Sequence, residues 1–143
     1  MRALGLDLGS KRIGVAVSDR SGTIASPLTL VQRSGRRSED HRRIAALVAE
    51  EEADVVVVGL PLSLDGSVGR AARDAIAEVE QLASVVGVPV ETHDERLTTV
   101  SADRVLLERG MRAPDRRRVV DKVAAAVMLQ AWLDGRRAES ERS

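Results

Sequence analysis

Residues 1–19, MRALGLDLGSKRIGVAVSD, read as a short apolar strand that carries an acid near its end, a Gly-Ser turn, and a second strand running back. Strand alternation puts Leu4, Leu6 and Leu8 on one face and Ala3, Gly5 and Asp7 on the other. In the second strand Ile13, Val15 and Val17 share a face, with Gly14, Ala16 and Ser18 opposite. One face therefore builds core. The other is kept small around the carboxylate of Asp7, whose desolvation is costly unless a cation or a hydrogen-bond donor meets it. A short acid at a turn also caps backbone, here at Gly9, so Asp7 acquires a chemical role only in company.

Working outward, a third strand over 24 to 30 follows the Ser21-Gly22 turn and completes an antiparallel meander. A helix is expected from Glu39 to Ala53 with Ile44, Leu47 and Val48 inward. Val55 to Val58 is then a continuous apolar strand of the kind buried on both faces of a sheet. The loop GLPLSLDGSVG leads to a helix over 69 to 86, in which Ile76, Val79, Leu82, Ala83 and Val86 keep helical spacing. A shorter edge strand over 88 to 94 is followed by a helix capped by Thr98 or Thr99 and running to Arg109. A last helix covers 117 to 134, and the chain after Gly135 reads as a flexible tail, 136–143, on a single domain spanning 1–135. The order βββαβαβαα is a ribonuclease-H-like topology: an α/β fold with a five-stranded mixed sheet and helices on both faces. Right-handed crossovers place the 55 to 58 strand beside the first strand and the 88 to 94 strand outside it. Asp7, the 59 to 66 loop and Asp94-Glu95 then emerge at one edge, the usual ligand crevice of such sheets.

Composition narrows the function classes. The chain has 143 residues, 43% hydrophobic and 31% charged, which suits one soluble globular domain. No cysteine is present, so thiol chemistry and Cys-ligated zinc are excluded, and two distant histidines make no His-rich metal site. Trp132 is the only aromatic residue, which argues against base-stacking platforms. The absence of a signal pattern or a long apolar span points to the cytoplasm and away from a membrane. The formal net charge of zero hides two arginine-rich stretches, Arg33 to Arg43 and Arg109 to Arg118, both read as loops or helix starts. Arginine forks suit phosphate backbones, and a solvated charge run is the alternative reading of each.

The last helix adds a third acid, because VVDKVAAAVMLQAWL is apolar nearly all round yet contains Asp121. At about 100° per residue, Asp121 shares a face with Ala124, Ala125, Met128 and Trp132. Packing those alanines on Ala3, Gly5, Gly14 and Ala16 carries Asp121 toward Asp7. Three carboxylates brought together repel and raise one another's pKa values unless divalent cations neutralise them. Hard oxygen ligands imply Mg²⁺ or Mn²⁺, and two such ions about 3.5 to 4 Å apart hydrolyse phosphodiesters. In that scheme Asp7 bridges the metals while Glu95 and Asp121 anchor one side each.

The chain resembles the YqgF/RuvX group of Holliday-junction-resolvase-like proteins, also described as pre-16S rRNA nucleases. The resemblance rests on DLGSKRIGVAVSD, GLPLSLDGSVG, DERLTT at 94 to 99 and VDKVAAAVMLQAWL, and covers nearly everything up to Gly135. It implies a ribonuclease-H-like fold and carries over the acidic trio as Asp7, Glu95 and Asp121. The departures are mild: Ser63 and Ser67 stand where Asn and Thr are frequent, and the second helix lacks an aromatic often found there.

Supporting residues follow from position. Lys11 and Arg12 succeed the Asp7 turn and can steer a phosphate, or be merely solvated. Gly59, Gly66 and Gly69 form a loop before a helix whose amides can accept an anion, without the GK[ST] ending of a P-loop. Arg96 and Thr99 flank Glu95 and can orient it or touch substrate, and Thr99 is equally a helix cap. His93 can shuttle a proton or sit half-exposed in an edge strand. Arg36, Arg37, Arg116 and Arg117 are the candidate backbone-contacting arginines.

The expected activity is that of a metal-dependent endonuclease on structured nucleic acid, processing the 5′ end of pre-16S rRNA, as a monomer or weak homodimer. Holliday junction resolution, which requires two symmetric cuts, and non-catalytic nucleic-acid binding are the alternatives. The opening also resembles the phosphate loop of actin-like sugar kinases, but those need a second domain for which 143 residues leave no room.

Overall fold

The computed structural model describes residues 1–62, 65–95 and 113–142, with the backbone alone for 113–122 and 142. Five strands, β1 (Ala3–Leu8), β2 (Arg12–Ser18), β3 (Ala25–Gln32), β4 (Val55–Leu60) and β5 (Val90–Asp94), form one sheet in the order β3-β2-β1-β4-β5. β1 pairs antiparallel with β2 and parallel with β4; β2 pairs antiparallel with β3, and β4 parallel with β5. Three helices flank it among the described residues: α1 (Arg37–Glu50), α2 (Arg70–Val86) and α3 (Ala113–Arg142). The mixed sheet and its strand order are those expected of a ribonuclease-H-like fold.

The alternation in the opening hairpin decides which helices cover which face. Leu4, Leu6, Ile13, Val15 and Val17 join Val56 and Val58 in one core with Ile44 and Val48 of α1 and Leu82 and Val86 of α2. Fully burying each large aliphatic side chain there contributes about 1.5–3 kcal/mol. Ala3, Ala16, Val55 and Val57 face the other way and pack on Ala125, Met128, Leu129 and Leu133 of α3. The small face is small because α3 lies close. A Cβ on Gly5 would stand 2.9 Å from Leu129 Cβ and 3.3 Å from the Ala125 carbonyl.

Several elements depart from their sequence-based bounds. α1 starts at Arg37 and ends at Glu50, earlier at both ends than expected, and it buries Asp40 and His41 as well as Ile44 and Val48. On α2 the buried stripe runs Ala72, Ala75, Glu78, Leu82, Val86, leaving Ala83 exposed and Ile76 and Val79 half-buried. The stripe is rotated because a carboxylate, Glu78, is drawn inward between the alanines and Leu82. α3 begins at Ala113 and continues through Arg142, so residues 136–142, expected as tail, are helical. Gly135 costs a helix about 1 kcal/mol. Local pairs span it: Arg137 pairs with Asp134, itself held by Gln130 Nε2 at 3.0 Å, and Arg136 stacks over Trp132 at 5.3 Å. The helix expected from Thr98 or Thr99 to Arg109 lies outside the described residues.

Candidate active site

A cleft of about 590 Å³ opens where β1, β4 and β5 end, lined by Asp7, Gly59 and Glu95 and also by Arg33, Arg37 and Glu78. Parallel strands share a direction, so their last residues must emerge together, and the register pairs Gly59 with His93 and Leu60 with Asp94. Asp7 lies opposite Gly14 across the hairpin, where no side chain competes for space.

Glu95 follows β5 directly and folds back over Gly59. A Cβ at Gly59 would lie 2.5 Å from Glu95 Oε1 and 2.6 Å from its Cγ, so glycine is what makes room for the carboxyl. Burial first, then a hydrogen bond with Asp7 and the charges of Asp7 and Asp94, push the Glu95 carboxyl up to about 8. The contact favours the protonated carboxyl, because two bare carboxylates so placed repel.

The third acid of the expected trio, Asp121, lies in the third turn of α3, well inside the helix and away from the N-cap position. Ala125 and Leu129 sit over Gly5, and Leu133 lies beside Gly22, so α3 runs antiparallel to β1. Asp121 is one turn, about 5.4 Å, before Ala125, on the Asp7 side. Its side chain lies outside the described residues, as do those of Arg116 and Arg117 and the whole of Arg96 and Thr99.

Among the supporting candidates, Arg37 borders the cleft and Arg36 is exposed at the N-cap of α1. Lys11 is exposed and Arg12 half-buried at the hairpin tip. Gly69 caps α2 and Gly66 takes a left-handed conformation (φ 87°) in the loop before it. Of the three loop glycines only Gly59 borders the cleft among the described residues. His93 is half-buried and lines a smaller groove of about 220 Å³ with Trp132 and Arg136. Burial lowers its pKa against the opposing charge of Asp94.

Sequence reasoning missed a buried cluster that also lines the cleft. Glu78, 2% exposed, accepts from Arg33 Nη1 and Nη2 at 2.8 and 3.0 Å and lies 2.8 Å from His41 Nε2. Arg33, from a stretch read as a loop of phosphate-seeking arginines, is only 16% exposed and is committed to this pair. Arg43 likewise donates to the Gln32 carbonyl at 2.8 Å. A signal existed: Glu78 stands three residues after Ala75 and four before Leu82, on the stripe that α2 buries.

A family model described as RuvX, Holliday junction resolvase, matches residues 1–135. A Mycobacterium ulcerans protein named "Putative pre-16S rRNA nuclease" is 53% identical over 138 residues, which cover 95% of this chain and 80% of that protein. A Mycobacterium bovis protein of the same name is 52% identical over 137 residues, 94% of this chain and 79% of its own. Among solved structures, RuvC of T. thermophilus in complex with a Holliday junction substrate superposes with a TM-score of 0.58 at 21% identity, covering 95% of this chain and 96% of that one. A second Thermus thermophilus RuvC structure gives 0.55 at 18% identity, with coverage of 96% and 97%. At such identity the likeness concerns the fold. With acids at the carboxyl edge of a ribonuclease-H-like sheet and a family match from end to end of that sheet, the chain belongs to the RuvX family of Holliday junction resolvases.

Proposed function

We propose that the protein is a divalent-metal-dependent endonuclease that hydrolyses phosphodiesters of structured nucleic acid and acts at the 5′ end of precursor 16S rRNA. The observation that carries this reading is the contact between Asp7 and Glu95 in a cleft that Arg37 also lines. A carboxyl pair that retains a proton to about pH 8 is a pair for which a divalent cation can substitute. The donor set fits: hard carboxylate oxygens, with no sulfur and no convergent histidines, suit Mg²⁺ or Mn²⁺. Among the described residues no three such ligands converge, and Asp121 is our third. Asp7, Glu95 and Asp121 would hold the metal, two ions in our reading; when bound it supplies charge neutralisation and an activated water for phosphodiester hydrolysis. Gly59 leaves room for the Glu95 carboxyl at that place. Arg37 and Arg36, with Arg116 and Arg117, would draw the phosphate backbone across the cleft without reading bases.

The relatives' name favours precursor rRNA over DNA, and a cut at one end of an RNA needs one active site, so a monomer suffices. The family description favours the second reading, junction resolution by a dimer. No helix among the described residues is long and apolar enough to cross a membrane, and we place the work in the cytoplasm. The deciding experiment offers the purified protein, with Mg²⁺ or Mn²⁺, a precursor 16S rRNA fragment and a synthetic four-way junction. Divalent-dependent cleavage of the rRNA is expected. Paired cuts in the junction alone would transfer the assignment to a resolvase, and binding to both without a cut would reduce it to a binding module.

A further inference from the structure

The cluster of Arg33, Glu78 and His41 takes no part in the carboxylate chemistry, yet it reaches the turn that carries Asp7. Arg33 Nε donates to the Gly9 carbonyl at 2.7 Å, and the Arg33 backbone N–H donates to the Lys11 carbonyl at 2.9 Å. The turn itself is tight. Gly9 N–H bonds back to the Asp7 carbonyl at 3.1 Å, and a Cβ on Gly9 would meet the Arg12 carbonyl at 2.5 Å. We propose that Arg33 is a positioning residue: clamped on Glu78, it holds the Gly9–Lys11 turn and thereby fixes where Asp7 presents its carboxylate.

Three physical arguments favour this role over the two obvious others. The guanidinium is planar and engages both Glu78 oxygens, so its Nε direction is set once Glu78 is set. Glu78 is set in turn by His41 from α1, so three elements, α1, α2 and the chain after β3, converge on one backbone carbonyl. As a phosphate ligand Arg33 is poorly placed, since the carboxylate of Glu78 already balances its charge and Arg37, 45% exposed against 16% for Arg33, is the more accessible guanidinium beside it. As a stability device the cluster is unneeded, because apolar residues of similar volume serve a buried ion pair's site equally well or better. What an apolar pair cannot supply is a donor aimed at the Gly9 carbonyl.

The role of Asp7 rests on the nuclease reading, whereas the hold on the turn does not, and the experiment separates them. In Arg33→Lys, which keeps the charge and loses the fork, amide hydrogen exchange of Gly9 and Ser10 in the metal-free protein should quicken about tenfold relative to strand amides at Leu6 and Val15. With Mn²⁺ and an rRNA fragment, kcat should fall about 100-fold while KM stays within about twofold, as for a misplaced catalytic group. Arg33→Met combined with Glu78→Leu, whose apolar pair secures folding, should melt near the unmodified protein and show the same loosened turn and lowered kcat. Unchanged exchange at Gly9 and Ser10 in both variants overturns the proposal. So does a loosened turn with unchanged kcat, or a raised KM with kcat intact, which would make Arg33 a substrate ligand. If the unmodified protein cleaves nothing, the nuclease reading fails and the exchange rates still decide the hold on the turn.

Discussion

Two glutamates border the same cleft, both withdrawn from water, and their carboxyls are driven in opposite directions. Glu95 is pushed up to about 8 by burial and by Asp7 and Asp94. Burial also acts to raise Glu78, but hydrogen bonds from Arg33 and His41, followed by the charges of Arg33 and Arg37, outweigh it and hold that carboxyl below its ordinary value. Burial alone therefore does not decide whether an acid is ionised; its partners do. One wall gathers Asp7, Asp94 and Glu95 and suits an incoming cation. The other wall is satisfied, and its order is available for holding geometry.

The sharpest way to break this contrast is Glu95→Gln. The amide keeps the shape and loses the charge, so divalent-dependent cleavage should fall by about 10³-fold or more while nucleic-acid affinity remains near that of the unmodified protein. Turnover at the original rate would place the metal ligands elsewhere. The matching change on the other wall, Glu78→Ala, should act on stability: it strands Arg33 without its carboxylate and should cost about 3 kcal/mol in denaturant unfolding, the low end for a broken buried pair because Arg33 keeps some access to water. A loss below about 0.5 kcal/mol, the range of ordinary surface substitutions, would show that the cluster is no internal pair.

Gly59→Ala tests the seat of Glu95. A methyl group there cannot coexist with the present carboxyl position, so kcat should drop about 100-fold with little change in KM, as expected for a displacement of about 1 Å. A crystal structure of that variant with Glu95 unmoved would disprove the seat. A smaller effect follows from linkage in the metal-free protein. Glu95 holds its proton in the folded state to about pH 8 and releases it when unfolded near the ordinary 4.5, so its contribution is fully present below 4.5 and is lost as pH rises toward 8. Glu78, held low, contributes above 4.5 and loses that contribution as pH falls through its lowered value. Melting temperature against pH should thus slope down on both sides. Glu95→Gln should flatten the upper limb alone and Glu78→Gln the lower; the reverse assignment would invert the comparison.

The smallest expected effect is that of Arg36→Ala with Arg37→Ala. Binding to every nucleic acid should weaken, and the salt dependence of log K should decrease by about 0.7–0.9 for each phosphate that is no longer neutralised. A change confined to one base sequence would make these reading residues.

Much of this fold was legible in the opening hairpin. Alternation in a strand has a period of two, so Leu4 and Leu6 could not share a face with Ala3 and Gly5. The one-sided smallness of that face required a close-packed, alanine-rich helix, which α3 supplies. The continuous run Val55–Val58 demanded a central parallel strand, and right-handed crossovers then left one arrangement for β4 and β5. Asp7 and Glu95 were brought to one edge by the same topology. Helix ends were less legible. α3 starts at Ala113 and passes Gly135 because local ion pairs and a stacked Arg136 offset a modest glycine cost that periodicity does not register.

The sequence by itself determined the sheet, the two faces and the meeting of Asp7 with Glu95, because apolar periodicity and strand direction act over whole elements and tolerate error at any one residue. Only the tertiary structure decided that Arg33 turns inward, that the Glu78 carboxyl is held low while that of Glu95 is pushed up, and that Gly59 serves as a seat for a carboxyl. Those outcomes depend on hydrogen-bond geometry between residues 33, 41 and 78 and on approaches of 2.5 to 3.0 Å. Such approaches have no period in the chain. Charge type alone put Arg33 in a stretch that looks made for phosphate; it was the partner it found across the fold, Glu78, that settled where it goes.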